Sequence, residues 1–156
     1  MKAMIEYSEG NLHDIAHFIK VHSFARTIGL LEGLDDLTQM TLEIAAIVHD
    51  IACPLCREKY GNTNGKHQQE EGMILAAEFL KDKGLEQDMI DRIVYLVGHH
   101  HTFTGVNGMD YQILLEADYL VNADESNYSA EGKKNFMEKV FRTETGKALM
   151  KEMYFV

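Results

Sequence analysis

One proline, Pro54, in 156 residues is the strongest constraint this sequence places on its fold. Proline interrupts helices more firmly than any other residue, so its near absence leaves long segments rich in Leu, Met, Ala, Glu and Lys free to be helical. No segment sustains the period-2 alternation of a half-buried strand. The expected fold is therefore all-α, a single-domain bundle of five to six helices spanning 1–156. Helices are expected over about 11–31, 38–51, 67–83, 87–101, 110–122 and 131–152. On the first, Ile15, Phe18, Ile19, His22, Ala25 and Arg26 follow the three- and four-residue spacing of one face. On the second, Leu42, Ala45, Ala46 and His49 do the same, and Pro54 is expected to end it. Residues 57–66 contain Gly61, Asn62, Asn64 and Gly65 and read as a loop, with Gly84 as a later helix stop. There is no internal repeat and no linker.

Charge and cysteine content narrow the function classes. Fifteen Lys and Arg against 25 Asp and Glu give a net charge of −10, which disfavours extended contact with nucleic acid or an anionic membrane. Uninterrupted apolar runs such as Ile44–Val48 are far too short to span a bilayer. The first ten residues are charged and lack the apolar segment of a signal peptide. Only two cysteines, Cys53 and Cys56, are present, too few for a disulfide framework. A cytoplasmic protein is expected, with no membrane partner and no indication of an oligomer.

Polar residues placed on apolar helix faces carry the functional signal. There are eight histidines. His22 lies on the first stripe, His49 and Asp50 close the second, and His100 has Ile93, Leu96 and Val97 behind it at helical spacing. Asp118 has Leu114, Leu115 and Val121 as helical neighbours, which turns its carboxylate inward. A buried carboxylate needs a partner, a proton or a metal. Inward His and Asp from separate helices have one common solution, a metal centre, and imidazole with carboxylate suits Zn, Fe, Mn or Ni. Each histidine taken singly is also compatible with a core residue bonded to a backbone carbonyl.

His22, then His49-Asp50 within Ala-Ala-Ile-Val-His-Asp-Ile-Ala, then Asp118 within Glu-Ala-Asp-Tyr-Leu, resembles the HD superfamily of metal-dependent phosphohydrolases over about 11–122. The resemblance implies an all-α domain with His22, His49, Asp50 and Asp118 as metal ligands and His49, Asp50 and Asp118 at the catalytic centre. It implies one or two divalent transition ions (Mn, Fe, Zn, Ni or Co). Two-metal branches add a histidine after the His-Asp helix and another before the last Asp, matched here by His67 and, within His99-His100-His101, by His100. The implied activity is hydrolysis of a phosphate ester or anhydride in a small phosphorylated compound such as a nucleotide. The alternatives are a di-iron oxygenase of the same superfamily and a non-catalytic metal- or nucleotide-binding module. Two departures weigh against the cyclic-dinucleotide branch: Cys53 stands where many members carry a lysine, and no Gly-Tyr-Pro follows the histidines.

Arg26, four residues after His22, and Arg57 and Lys66 in the following loop are the candidate phosphate-binding residues. His13-Asp14-Ile15-Ala16-His17 imitates a His-Glu-x-x-His zinc motif, but its two histidines are rotated away from the Ile15–Phe18–His22 stripe. That pair is expected on a solvated helix surface. Cys53-Pro54-Leu55-Cys56 lacks both the extra ligands of a zinc site and the preceding strand of a redox motif, and reads as structural.

Overall fold

In the computed structural model, which describes residues 1–156, capping side chains set most helix starts. The Asn11 side chain accepts a hydrogen bond from the Asp14 amide to open α2 (Leu12–Leu31). Asp35 does the same for α3 (Asp36–Val48) through the Thr38 amide, and Asn64 for α5 (Gly65–Leu80) through the Lys66 amide. Between them, α4 (Cys53–Tyr60) carries Pro54 in its first turn, where a missing N–H costs nothing, and ends on Gly61 at φ 69°. The remaining helices are α1 (Lys2–Tyr7), α6 (Gln87–Val97), α7 (Met109–Glu125), α8 (Ala130–Val140) and α9 (Glu144–Tyr154).

The fold is all-α with no strand, as expected, but it has nine helices rather than five or six. Pro54 lies in the first turn of a short helix, α4, that runs on through residues 57–60 of the segment expected as a loop. The C-terminal segment breaks at Phe141–Thr143, where Thr143 caps α9 through the Gly146 amide. The chain turns after Val97, so His99 to His101 leave the regular helix.

α7 runs through the core, buried without interruption from Asp110 to Asp118. It packs on α2 and α3, while α6 packs on α3 and α5. Val21, Ala25 and Ile28 from α2 meet Leu42, Ala45 and Ala46 from α3, with Ile93 and Leu96 from α6 and Ile113, Leu114 and Leu120 from α7 in the same cluster. Small residues let the axes approach: a Cβ added at Gly72 of α5 would lie 2.9 Å from Val97 Cγ1 of α6. The stretch Asp36–Tyr60 is apolar enough to cross a membrane by length and composition, yet 61% of its most apolar window is buried within the protein.

Candidate metal centre

Four helices direct side chains to one point. His17 comes from the first half of α2, His49 and Asp50 from the end of α3, His100 from the turn after α6, and Asp118 from the middle of α7. His17 Nε2 lies 3.2 Å from His49 Nε2, 3.2 Å from Asp118 Oδ1 and 3.4 Å from Asp50 Oδ2. His49 Nε2 lies 3.4 Å from Asp118 Oδ1, and His100 Nε2 lies 3.3 Å from Asp50 Oδ1. Each ring has its other nitrogen committed as a donor. His17 Nδ1 donates to Glu125 Oε2 at 2.7 Å, His49 Nδ1 to the Ala46 carbonyl at 2.8 Å, and His100 Nδ1 to the Val97 carbonyl at 2.7 Å. Glu125 is itself held by Lys20 at 2.9 Å, and Asn122 donates to Asp118 Oδ1 at 2.8 Å.

This arrangement leaves three Nε2 atoms facing two carboxylates in a buried setting. Burial alone would lower the His17 pKa, but the Asp118 hydrogen bond and the Asp50 charge outweigh it and raise it to about 10. His49 is raised for related reasons, the nearby Asp50 and Asp118 overcoming burial. Burial opposes ionisation of Asp50 and Asp118, yet the surrounding imidazoles hold both below the usual carboxylate range. Burial and the adjacent His100 push His101 down to about 4, and its Nε2 donates to Gln68 Oε1 at 3.0 Å.

The donors fit a divalent transition ion. The fully buried His100 Nε2 has no hydrogen-bond partner, and an imidazole whose Nδ1 is held by a carbonyl or carboxylate is the usual state of a metal-ligating histidine. His17, His49 and Asp50 form one group of atoms close enough to share an ion, with Asp118 touching both histidines. Asp50, His100 and His101 form a second such group.

The structure brings His49, Asp50, His100 and Asp118 together as the sequence predicts, and corrects four other assignments. His22 is not in the cluster: its Nε2 lies 3.1 Å from Glu43 Oε2, and His17 occupies the expected place. Five residues is about 140° around a helix, so the two histidines cannot share a face. Arg26 follows His22 away from the centre and pairs with Glu43 at 2.8 Å. His67 stacks on Tyr60 with ring centroids 3.9 Å apart and belongs to neither ligand group; Gln68, the next residue, faces the cavity instead. Lys66 is exposed beside Glu70 and lines no part of the cavity.

His17 was legible as half of a zinc-like pair; the expected surface position holds for His13, which is exposed, and fails for His17, which is buried. Its face is marked by Val21, Ala25 and Ile28, each buried. Glu125 and Asn122 could have been found from their spacing of seven and four residues from Asp118 on one helix face. Cys53 and Cys56 are buried, and burial raises both thiols, in keeping with a structural role.

His17, Asp50 and Asp118 line a polar cavity of about 210 Å³ that also includes Asp14, Thr63, Arg57 and Ser126, while His49 and His100 are fully buried. Arg57 is paired with Asp14. A second cleft of about 590 Å³ shares Thr63, Gln68, His101, Asp118 and Asn122 with the first and extends between Phe103, Tyr119, Tyr128 and Phe136.

An all-helical fold centred on buried His and Asp from four helices defines a class of protein, and the comparison with families agrees. The family model described as HD domain matches residues 14–126, and the chain belongs to that family. The match begins just ahead of His17 and ends just past Glu125. Among solved structures, the crystal structure of a predicted HD superfamily hydrolase from an uncultured Thermotogales bacterium is similar to it. That structure has a TM-score of 0.70 at 23% identity, with 99% of this chain and 82% of that one covered, which is a likeness of fold. No curated protein matches the chain.

Proposed function

We propose that the protein is a metal-dependent phosphohydrolase that cleaves a phosphate ester or anhydride of a small phosphorylated compound with an activated water. The observation that carries this reading is the convergence of three Nε2 atoms and two carboxylates, every imidazole held from behind, at a cluster that His17, Asp50 and Asp118 open to a cavity. A bound divalent ion supplies Lewis acidity and brings the pKa of water toward neutrality. His17, His49, Asp50 and Asp118 are the residues to hold it, and Asp50, His100 and His101 those to hold a second.

Electrostatics favours this assignment. Asp14, Asp50, Asp118 and Glu125 line the cavity, and Arg57 is its single Lys or Arg. A phosphate approaching such a surface on a chain of net charge −10 needs added positive charge, which metal ions provide. Arg57 can exchange part of its pairing with Asp14 for the substrate's phosphoryl oxygens, a charge-assisted contact. Asn122 keeps Asp118 oriented, and Gln68 fixes the ring of His101. The small cavity and the acidic surface support a small-molecule substrate rather than a nucleic acid or membrane partner.

The test is metal content and phosphomonoester hydrolysis by protein purified without chelators or a metal-affinity tag, beside His49→Ala and Asp50→Ala. One or two equivalents of a transition metal, with both metal and turnover lost in the variants, is the expected result. A folded wild type that takes up no supplied metal overturns the reading. So does one that holds two irons and consumes oxygen without hydrolysing phosphoesters.

A further inference from the structure

The wide cleft beside the metal centre is unlike the cavity it joins. Its far wall is built from Phe103 in the loop before α7, Leu115 and Tyr119 on α7, Tyr128 in the loop after α7, and Phe136 on α8. Tyr119 and Phe136 stack at 3.6 Å with their planes 1° apart, so each covers one face of the other. Phe103 stands edge-on to Phe136 at 5.1 Å, and Tyr128 leans against Tyr119 at 5.6 Å. Phe103 and Tyr128 remain 46% and 42% exposed, which leaves two aromatic rings with free surface beside the opening. No Lys or Arg lines this cleft. Polar hydrogen-bonding groups are present where the two spaces meet, at Thr63, Gln68 and Asn122.

We propose that the substrate is a phosphomonoester whose leaving group carries an uncharged planar aromatic ring, as in a nucleoside monophosphate or an aryl phosphate, and that Phe103, Tyr119, Tyr128 and Phe136 select it. This rests on the phosphohydrolase reading above. With the phosphoryl group over Asp50 and Asp118, the larger adjoining space for the rest of the substrate is this cleft, and its walls are aromatic. Aromatic walls favour a ring by offset or edge contacts. A second or third phosphate in the same space has no cation to meet it and faces Asp118, so polyphosphates are disfavoured. Hydrolysis adds water across the P–O bond: the water oxygen joins phosphorus, the leaving oxygen takes a proton, and inorganic phosphate and the ring-bearing alcohol depart.

The experiment compares kcat/KM of the metal-loaded protein for adenosine 5′-monophosphate, phenyl phosphate, ribose 5-phosphate, glycerol phosphate and adenosine triphosphate. The phosphate-free alcohols of the monoesters, adenosine, phenol, ribose and glycerol, are titrated calorimetrically against metal-free protein, and Phe103→Ala and Tyr128→Ala are carried through both arms. Their exposure makes these two variants the least disruptive to folding. The expected result is a preference of about tenfold or more for ring-bearing monophosphates, falling toward one in the variants, as loss of one stacked ring implies. The nucleoside and phenyl arms distinguish the two sources of the ring. Hydrolysis that is equal for ring-free esters, or fastest for the triphosphate, overturns the selection while leaving the phosphohydrolase reading in place. Ring-dependent binding that the variants weaken, without turnover, supports the cleft and overturns the hydrolase reading. Absence of both binding and turnover overturns both.

Discussion

An imidazole offers a lone pair to a metal only when its other nitrogen keeps the proton, and here Glu125, Ala46 and Val97 assign that proton for His17, His49 and His100. Two predictions belong to this scale. His17→Ala removes a ligand and abolishes tight metal binding, whereas His22→Ala leaves metal content at the wild-type level; elemental analysis of the two purified variants checks it. Glu125→Gln keeps the shape but weakens the acceptor behind His17, so metal affinity falls about 10- to 100-fold, read by competition with a chelator. His22 was the natural choice from sequence because α2 is apolar on several sides. Ile15, Phe18, His22 and Ala25 make one stripe, and His17, Val21, Ala25 and Ile28 make another that shares Ala25. Only contact with α3 and α7 decides which stripe turns inward, and no local spacing encodes that rotation.

At the scale of elements, the buried Glu116 of α7 holds the start of α9. It accepts hydrogen bonds from the Arg142 amide at 2.6 Å, the Thr143 amide at 3.0 Å, the Thr143 hydroxyl and Gln112 Nε2. Glu116→Ala strands these donors in a dry interior and costs about 2 kcal/mol or more, measured by urea unfolding. Metal content of the folded fraction should not change, because Glu116 contributes to neither ligand group. The same helix carries Asp118, Asn122 and Glu125 on its other functional face, which is why nearly every residue of its first half is buried. Long helices such as α2 and α7 were legible from their apolar spacing, with Asn11 capping the first. The short α4 and the break before α9 were not, since Pro54 marks a helix start as readily as a stop, and Thr143 marks a start only once Glu116 is known to lie beneath it.

For the whole molecule, gathering His17, His49, Asp50 and Asp118 makes stability depend on protons and metal together. His17 has its pKa raised to about 10, so its ion pairing contributes fully below the unfolded value of about 6.5 and is lost as pH rises through 10. Asp50 and Asp118 have theirs lowered, so their contribution is complete above an unfolded value of about 3.9 and is lost as pH falls below it. Metal-free protein should therefore be most stable between about pH 4 and 6.5, as thermal unfolding across pH in excess chelator will show. A divalent ion needs the same Nε2 that holds the His17 proton, so binding near pH 7 must release about one proton per ion. Calorimetry in buffers of different ionisation enthalpy reads that number directly. Because the ion binds the folded state alone, it also raises Tm, and by more at pH 8 than at pH 6, where protons compete for His17. A Tm gain independent of pH would mean that the ion is held elsewhere, since no other proposed ligand group contains a histidine with a pKa raised to about 10.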